Sequence, residues 1–470
     1  MINILDYFLA FTGNILLTKR LAVIDYGTYN FLNSFSGLIL TFFSLGLSQY
    51  NYKIIPGREL EEQDSIIGRT LFIEFFSSLI GLFIFGFIFN NKFVYSIGLL
   101  FFVLRILNNV FNSELIRCLG YRKKNLLKSI ISLINERGWI IILIIFLFSQ
   151  KNNNIILDYV LFFQLVVSAI VVILLFFLFR SKTLFHNFRF SKEFINTHLR
   201  VSISFVFVDL GMYLLEVGIR YILFYKGKLD SVAYYSFSYN WISVIFKFGM
   251  LLIYILQPYI SNEYYLMNTK PDSQRKLYLI ENFSLKYSLY IIIFALSFFA
   301  INYADLVMLL GKQEYLETQR AFCFLIPLPV FMCIAYFFQI LIVLAGNTKI
   351  LPIVYFTMVF GVIISNFLLI DKYDYNSSAV ITTLSYLFLA IVFFIKCPRN
   401  IFHFNIKIHS ILCFLVQLLL YICVLFIIRK FLKNSITSFS VQFLFSLITI
   451  VIICLFNKRD FVFLKEFRFS

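Results

Sequence analysis

Charged side chains inside long apolar segments are the residues of this sequence that could do chemistry. Three cations fall near the middle of such segments: Arg105, Arg137 and Lys247. A charge at the centre of a bilayer costs about 2.5–3.5 kcal/mol on insertion scales, so each cation needs a partner or a watery cavity. An arginine binds an anionic group with two parallel hydrogen bonds, and a lysine acts as a point charge. We therefore expect either anion binding or pairing with a carboxylate such as Glu136.

A segment in the middle of the chain places three charges on one helical face. Asp209 and Glu216 are seven residues apart, and Arg220 follows four residues later, so their side chains share a face of an α-helix. That face cannot point towards lipid. Two interpretations stay open at this point. Glu216 and Arg220 could form a structural ion pair, or Asp209 and Glu216 could form a site that responds to a proton or another cation.

The composition requires a membrane around most of the chain. Hydrophobic residues make up 61% of the sequence and charged residues only 14%, whereas soluble domains contain about 25% charged residues. No water-soluble packing can bury so much apolar surface. The net charge of +17 is spread over short basic runs between apolar blocks, which argues against a nucleic-acid partner. The seven cysteines form no CxxC pattern and the four histidines lie in basic linkers, so we expect no metal site.

Apolar runs long enough to cross a bilayer recur along the chain and predict an all-α, polytopic membrane protein. We expect about fourteen transmembrane helices, and at least about twelve, because two or three boundaries are ambiguous. The predicted helices are 2–18, 31–52, 68–89, 94–116, 127–148, 155–179, 201–224, 234–258, 283–302, 321–344, 350–370, 379–395, 411–428 and 437–456. Pro327 and Pro329 predict a bend in the tenth helix, either a hinge or a static kink.

The linkers indicate orientation and exclude one class of function. Linkers after even-numbered helices, together with the tail, hold about twice as many Lys and Arg residues as the others, which places both termini in the cytoplasm. All linkers are too short for an appended catalytic domain. Any function therefore lies in the membrane bundle.

An internal repeat divides the chain. Residues 24–31 and 230–237 align at an offset of 206 residues, which matches Tyr29 with Tyr235 and Phe31 with Phe237. Because this offset separates helices of the same parity, the two copies keep the same orientation, as in the parallel repeats of secondary transporters. The repeat predicts two pseudo-symmetric six-helix lobes and a C-terminal helix pair. The predicted segments are an N-terminal lobe 1–180, a basic cytoplasmic linker 181–200, a C-terminal lobe 201–395, and a helix pair with a cytoplasmic tail 396–470.

Short motifs in both halves resemble those of a known transporter family. They are Lys19-Arg20-Leu21, Asp25-Tyr26-Gly27-Thr28-Tyr29, Leu45-Gly46-Leu47-Ser48, Ala233-Tyr234-Tyr235 and Gln257-Pro258. The sequence is similar to the Wzx-type flippases of O-antigen and capsule synthesis, in the multidrug/oligosaccharidyl-lipid/polysaccharide (MOP) exporter superfamily. The likeness covers the whole length as a pattern of helices, but only these stretches match as motifs. The basic residues usual before the first helix are missing.

The resemblance implies a flippase that moves an undecaprenyl-pyrophosphate-linked oligosaccharide across the bacterial inner membrane by alternating access. Under this hypothesis cations in the cavity would bind the pyrophosphate, while asparagines one turn after Arg105 would contact sugars. Expected partners are the lipid-linked oligosaccharide, membrane lipids, a polysaccharide polymerase and a chain-length regulator. We expect no cofactor, although coupling to H+ or Na+ is plausible for the family. The candidate residues are the cavity cations Arg105, Arg137, Arg220 and Lys247, the coupling carboxylates Asp209, Glu216 and Glu136, and the sugar contacts Asn108 and Asn109.

Two alternatives are open at this point. A cation-coupled multidrug exporter of the same superfamily would share the fold, but the mid-membrane cations would repel cationic drugs. A membrane-embedded polysaccharide polymerase would need acid, base or Arg-rich loops near its glycosyl donor. The outward linkers, of which only Asp371-Lys372-Tyr373-Asp374 carries a pair of carboxylates, are too short and too poor in such residues.

Overall fold

All regular structure in the described part of the chain is helical. The computed structural model describes residues 2–47, 51, 55, 59–89, 97–122, 124–149, 156–179, 200–267, 271–310, 312–398, 408–432 and 435–456. Within these ranges there is no β-strand. The predicted all-α, polytopic fold class is confirmed.

The chain divides into two compact units. Unit 1 comprises Met1–Ala233 and Tyr355–Ile364, and unit 2 comprises Tyr234–Val354 and Ser365–Ser470. The segment boundaries predicted from the repeat stay a prediction, and residues 181–199 of the predicted linker lie outside the described residues.

Unit 1 contains the first seven helices, the first turn of the eighth, and the segment Tyr355–Ile364 of a later helix. The helices are α1 Ile2–Arg20, α2 Val23–Phe43, α3 Leu60–Phe89, α4 Ile97–Tyr121, α5 Asn125–Ser149, α6 Leu157–Leu178, α7 Arg200–Tyr225 and α8 Leu229–Leu266. α4 packs against α3, α5 and α6, while α1 packs on α5 and α2 packs on α7. A buried apolar core joins α3 to α6 through residues such as Ile67, Leu119, Ile131 and Leu175. This core holds the polar side chains of α4 in fixed positions.

Unit 2 contains most of α8 and the remaining helices. They are α9 Pro271–Ile301, α10 Tyr303–Leu310, a 3-10 helix Gln313–Thr318, α11 Gln319–Leu325, α12 Leu328–Leu344, α13 Ile350–Lys396, α14 Ile408–Phe431 and α15 Ser435–Phe456. Phe294 and Phe298 of α9 pack with Tyr421 and Leu425 of α14. The Tyr421 hydroxyl lies 2.7 Å from Ser446 Oγ on α15, so the predicted C-terminal helix pair is joined by a polar contact as well as by aromatic packing.

Membrane-spanning segments can be assigned among the described residues from length and composition. Eight helices qualify, or nine if the bent pair Gln313–Leu325 and Leu328–Leu344 counts as one span. The 44° bend of that pair confirms the bend predicted from Pro327. α13 has 47 residues, a length of about 70 Å, which exceeds twice the hydrocarbon thickness of about 30 Å. Its helical path is broken at Asp374, where φ is 53° and ψ is −148°, so it contains both predicted helices 350–370 and 379–395.

Two glycines of the motifs noted above are required by close backbone contacts in unit 1. Gly27 on α2 lies so close to α8 that a Cβ would be 2.3 Å from the Leu229 carbonyl oxygen. Gly46 has a φ of +64°, and a Cβ there would be 2.3 Å from the carbonyl oxygen of Ser202 on α7. Side chains are strained at positive φ, and neither contact leaves room for one. The motifs therefore set how closely α2 and the segment after it approach α7 and α8.

We expect Gly46→Ala to destabilise the protein more than Gly227→Ala. Both glycines have positive φ, but a Cβ at Gly227 meets nothing within 4 Å. In both variants backbone strain should lower the free energy of unfolding by about 1–3 kcal/mol. Only in Gly46→Ala does the new methyl group also clash with Ser202, which should lower it by about 1–3 kcal/mol more. Thermal unfolding of the two purified variants measures the difference. Equal melting temperatures would show that the contact with α7 is not tight.

Candidate functional site

Arg105 is the centre of a polar network inside unit 1. Its Nη1 donates to Asn33 Oδ1 on α2 at 2.9 Å and to Gln164 Oε1 on α6. Gln164 Nε2 donates in turn to the Tyr29 hydroxyl at 3.0 Å. The guanidinium is therefore positioned by neutral groups from two neighbouring helices.

The charge of Arg105 is not neutralised within the described part of the chain. No carboxylate there lies within ion-pair distance of it, and its Nη2 and Nε have no hydrogen-bond acceptor among the described residues. Arg137 lies within electrostatic range and adds a second positive charge. A half-buried guanidinium with free donors and no counter-ion can bind an anion.

Amide side chains extend this network along α4. Asn108 Nδ2 donates to Ser168 Oγ on α6 at 3.3 Å, so one predicted sugar contact belongs to the same network as Arg105. Asn112, one turn further, donates to Asn135 Oδ1 at 2.7 Å and to the Ser168 carbonyl at 3.0 Å. Asn109 is half-buried and has no hydrogen bond within the described ranges.

Several members of the network were not predicted from the sequence. They are Tyr29, Asn33, Asn112, Asn135, Gln164 and Ser168. The spacing of polar residues on two apolar helices is a signal that could have identified them. Polar side chains follow i, i+3, i+7 spacing at Arg105, Asn108 and Asn112, and i, i+4 spacing at Gln164 and Ser168. An amide facing lipid would have no partner, so such spacing predicts a shared polar face.

Arg137 is paired, unlike Arg105. Its Nε lies 2.8 Å from Asp6 Oδ1 on α1, whereas its Nη2 lies 3.9 Å from Glu136 Oε2. The carboxylate interpretation thus holds for Arg137, with Asp6 as the closer partner. The side chain of Glu136 is 53% exposed and accepts a 3.3 Å hydrogen bond from Ser132.

A polar cleft opens beside this ion pair, between α1 and α5. Its volume is about 310 Å³. The cleft is lined by Asp6, Tyr7, Lys128, Ser129, Ser132, Leu133 and Glu136. Glu136, predicted as a coupling carboxylate, therefore lines a cleft large enough for several water molecules rather than a packed core.

Arg220, on the predicted charged face of α7, is directed at α2. Arg220 is buried, and its Nη1 donates to Ser34 Oγ at 2.8 Å. The hydroxyls of Tyr213 and Tyr221 both donate to the Ser34 carbonyl, at 2.5 and 2.6 Å. Arg220 thus joins α2 to α7 rather than standing in an open cavity, and its substrate role stays a prediction.

The remaining predicted residues are dispersed. Glu216 lies within electrostatic range of Tyr213 and Tyr355, and Asp209 is half-buried on the same helix. Lys247 belongs to α8 in unit 2, where its side chain is exposed. Within unit 1, the structure therefore brings together Arg105, Asn108 and Arg137. The roles predicted for Asp209, Glu216 and Lys247 stay predictions.

Comparisons with known proteins agree on fold and family. A family model described as "Polysaccharide biosynthesis protein" matches residues 1–264. The solved structure "Lipid II flippase MurJ, inward closed conformation" has a TM-score of 0.68 at 14% identity and covers 98% of each chain. The inward-facing conformation of a multidrug resistance MATE family transporter of the MOP superfamily has a TM-score of 0.64 at 14% identity, covering 84% of this chain and 94% of that one. At these identities the structures show the fold alone. No curated protein matches the chain by sequence.

We predict that Arg137 is coupled energetically to Asp6 and much less to Glu136. Double-mutant cycles on thermal or denaturant unfolding would compare Asp6→Asn with Glu136→Gln, each alone and combined with Arg137→Gln. The closer, half-buried pair should give a coupling energy of about 1 kcal/mol, and the exposed pair close to zero. Equal coupling energies for the two pairs would contradict the geometry.

Proposed function

We propose that this chain, which belongs to the polysaccharide biosynthesis protein family, is a flippase for a lipid-linked oligosaccharide. The substrate would be an O-antigen or capsule repeat unit on undecaprenyl pyrophosphate, moved across the bacterial inner membrane by alternating access. No covalent chemistry is involved, so the protein would be a transporter and not an enzyme. The family match supports a polysaccharide precursor as the cargo, and a lipid II flippase has a similar fold.

The observation that carries this proposal is the charge of Arg105, which no carboxylate in the described part of the chain compensates. Neutral amides hold the guanidinium in place without cancelling its charge, so its attraction for an incoming anion is retained. A pyrophosphate presents paired oxygens that match the two parallel N–H groups of a guanidinium. Arg137 would strengthen this field, although Asp6 offsets much of its charge.

The amides around Arg105 suit the sugar part of the substrate. Asn108 and its partner Ser168 offer uncharged donors and acceptors one turn from the guanidinium. Exchange of such side-chain hydrogen bonds for bonds to sugar hydroxyls is nearly neutral in energy. The site would therefore fix the charged headgroup firmly and tolerate variation in the sugars.

The fold does not separate this function from multidrug export, because a MATE transporter shares it. The charge of the site does separate them. Arg105 would repel a cationic drug and attract a pyrophosphate. The family match and this charge together favour the polysaccharide substrate.

Transport would operate in a bacterial inner membrane with both termini cytoplasmic, beside a polysaccharide polymerase and a chain-length regulator. An H+ or Na+ gradient would drive net export. The half-buried acids Asp209 and Glu216 on α7 and the cleft-lining Glu136 are the carboxylates proposed from the sequence for that coupling.

We expect Arg105→Ala to slow flipping by about tenfold or more, since a hydrogen bond to a charged group contributes about 1.5–3 kcal/mol. Arg105→Lys should recover part of the rate, because it keeps the charge and loses the paired geometry. The assay follows a fluorescent undecaprenyl-pyrophosphate oligosaccharide in proteoliposomes through an impermeant quencher. Lys430→Ala, an exposed cation at the end of α14, is the matched control.

Two results would count against the proposal. Wild-type rates in Arg105→Ala would remove Arg105 from the site. Export of a cationic dye by the wild type, without movement of the lipid-linked oligosaccharide, would favour the multidrug function instead.

A further inference from the structure

A five-residue element occurs once in each unit. Residues 73–77 of α3 read Ile-Glu-Phe-Phe-Ser, and residues 280–284 of α9 read Ile-Glu-Asn-Phe-Ser. The offset is 207 residues, one more than the offset that matches Tyr29 with Tyr235. In each copy the serine hydroxyl donates to the carbonyl of the glutamate three residues earlier, at 3.1 Å in α3 and 2.9 Å in α9. The two copies therefore share sequence, position in the repeat and local structure.

Each copy buries a glutamate that receives no hydrogen bond at its buried oxygens. Glu74 is 2% exposed, and its Oε1 has no partner among the described residues. Glu281 is fully buried, and neither of its carboxylate oxygens has a hydrogen-bond partner among the described residues. An ionised carboxylate without a donor in such surroundings costs several kcal/mol, and a bound proton removes this cost.

The surroundings of Glu74 contain a second carboxylate. Glu114 on α4 is fully buried, accepts a 3.0 Å hydrogen bond from Asn51, and pairs with Arg117 at 2.9 Å. Asn51 also donates to Thr70, one turn before Glu74 on α3, at 3.0 Å. Glu114 and Arg117 both lie within electrostatic range of Glu74.

The other helix packed on α3 adds no charge near this cluster. α2 contacts Ser77 of α3 through the Phe43 carbonyl. Its one charged residue, Asp25, lies at the other end of the helix, about 27 Å from Phe43. Among the described residues, the cluster of Glu74, Glu114 and Arg117 is therefore neutral with one bound proton and carries a charge of −1 without it.

The surroundings of Glu281 differ in this respect. α12 and α15, which pack on α9, contain no charged residue. The other helices that pack on α9 are α10 and α14, and their Asp305 and Arg429 pair with each other near Ile301, about 30 Å along α9 from Glu281. The titratable group within electrostatic range of Glu281 is the thiol of Cys397, a weaker acid than a carboxyl. Glu281 thus has no nearby carboxylate among the described residues with which to share a proton.

We propose that Glu74 and Glu114 share one exchangeable proton, whereas Glu281 keeps its proton as a fixed neutral acid. On release, the proton leaves the Glu74 carboxyl for water, and Arg117 then faces two carboxylates. Uptake reverses this step. The assignment of the pair as the coupling site of transport rests on the proposed flippase function, but the proton binding itself does not.

Infrared difference spectroscopy of the purified protein in lipid tests the proton binding. Spectra would be compared between buffers at about pH 6.5 and about pH 8, a range in which ordinary carboxyls are already ionised. We expect a protonated-carboxyl C=O band in the wild-type difference spectrum that is absent in Glu74→Gln and present in Glu281→Gln. Glutamine has the shape of a protonated glutamate, so both variants should fold.

The role of the second carboxylate is tested by Glu114→Gln. Without Glu114, Arg117 becomes available to Glu74, which should then ionise and lose the band even in the acidic buffer. The fixed proton of Glu281 is tested by subtracting the spectrum of Glu281→Gln from that of the wild type. This difference should show the C=O band of a protonated Glu281 in both buffers. A difference band that survives Glu74→Gln, or that disappears in Glu281→Gln, would overturn the assignment.

Transport under a pH gradient tests the coupling separately. In proteoliposomes with the fluorescent lipid-linked oligosaccharide, the wild-type rate should rise when a pH gradient is imposed. The rates of Glu74→Gln with and without the gradient should be equal, while Glu281→Gln should respond as the wild type does. An undiminished response in Glu74→Gln, or a response to Na+ in place of H+, would refute the coupling role. If the wild type moves no oligosaccharide but the infrared band depends on Glu74, the flippase function falls and the proton site stands.

Discussion

A charge buried among apolar helices must find a partner, and this constraint determines the polar architecture of unit 1. The chain meets it in three ways. Arg137 pairs with Asp6, Glu114 pairs with Arg117, and Arg105 is surrounded by neutral amides. The third solution leaves a net charge in place. A helix bundle of low dielectric tolerates such a charge only where water or a ligand reaches it, which is why Arg105 is the most informative residue of the site.

The same constraint explains the close helix contacts of this unit. Ser34 receives donors from Arg220, Tyr213 and Tyr221, so that polar groups of α2 and α7 satisfy one another away from lipid. These bonds require the two helices to approach closely. Gly46, held at positive φ against the Ser202 carbonyl, permits that approach next to α2. Motif glycines and buried polar groups are thus parts of one packing arrangement.

Sequence patterns predicted the spans well and their ends less well. Hydropathy detects the part of a helix that lies in lipid, so the predicted helix 283–302 missed the polar first turns of α9, which begins at Pro271. Arg105 could be predicted because a cation stands out in an apolar run. Its partners could not, since Asn33 and Gln164 lie 72 and 59 residues away in the sequence. Asp6 is likewise 131 residues from Arg137, a separation that only packing resolves. The equivalence of Glu74 and Glu281 was readable in the sequence. That no described residue donates a hydrogen bond to Glu74 Oε1 or to either carboxylate oxygen of Glu281 could be seen only in the structure.

The contrast between a permanent charge and an exchangeable one has a consequence for transport. Arg105 stays charged at any physiological pH, so an empty site favours a state in which water reaches the guanidinium. A bound pyrophosphate would supply the counter-charge and lower the cost of excluding that water. The pair of Glu74 and Glu114 would be neutral with a bound proton and charged without it, so a proton would lower the cost of drying that pair. An inward proton gradient drives export only when substrate and proton move in opposite directions. Under the proposed function the two sites would therefore dry in separate steps of the cycle, the outward step with pyrophosphate bound and the return step with a proton bound.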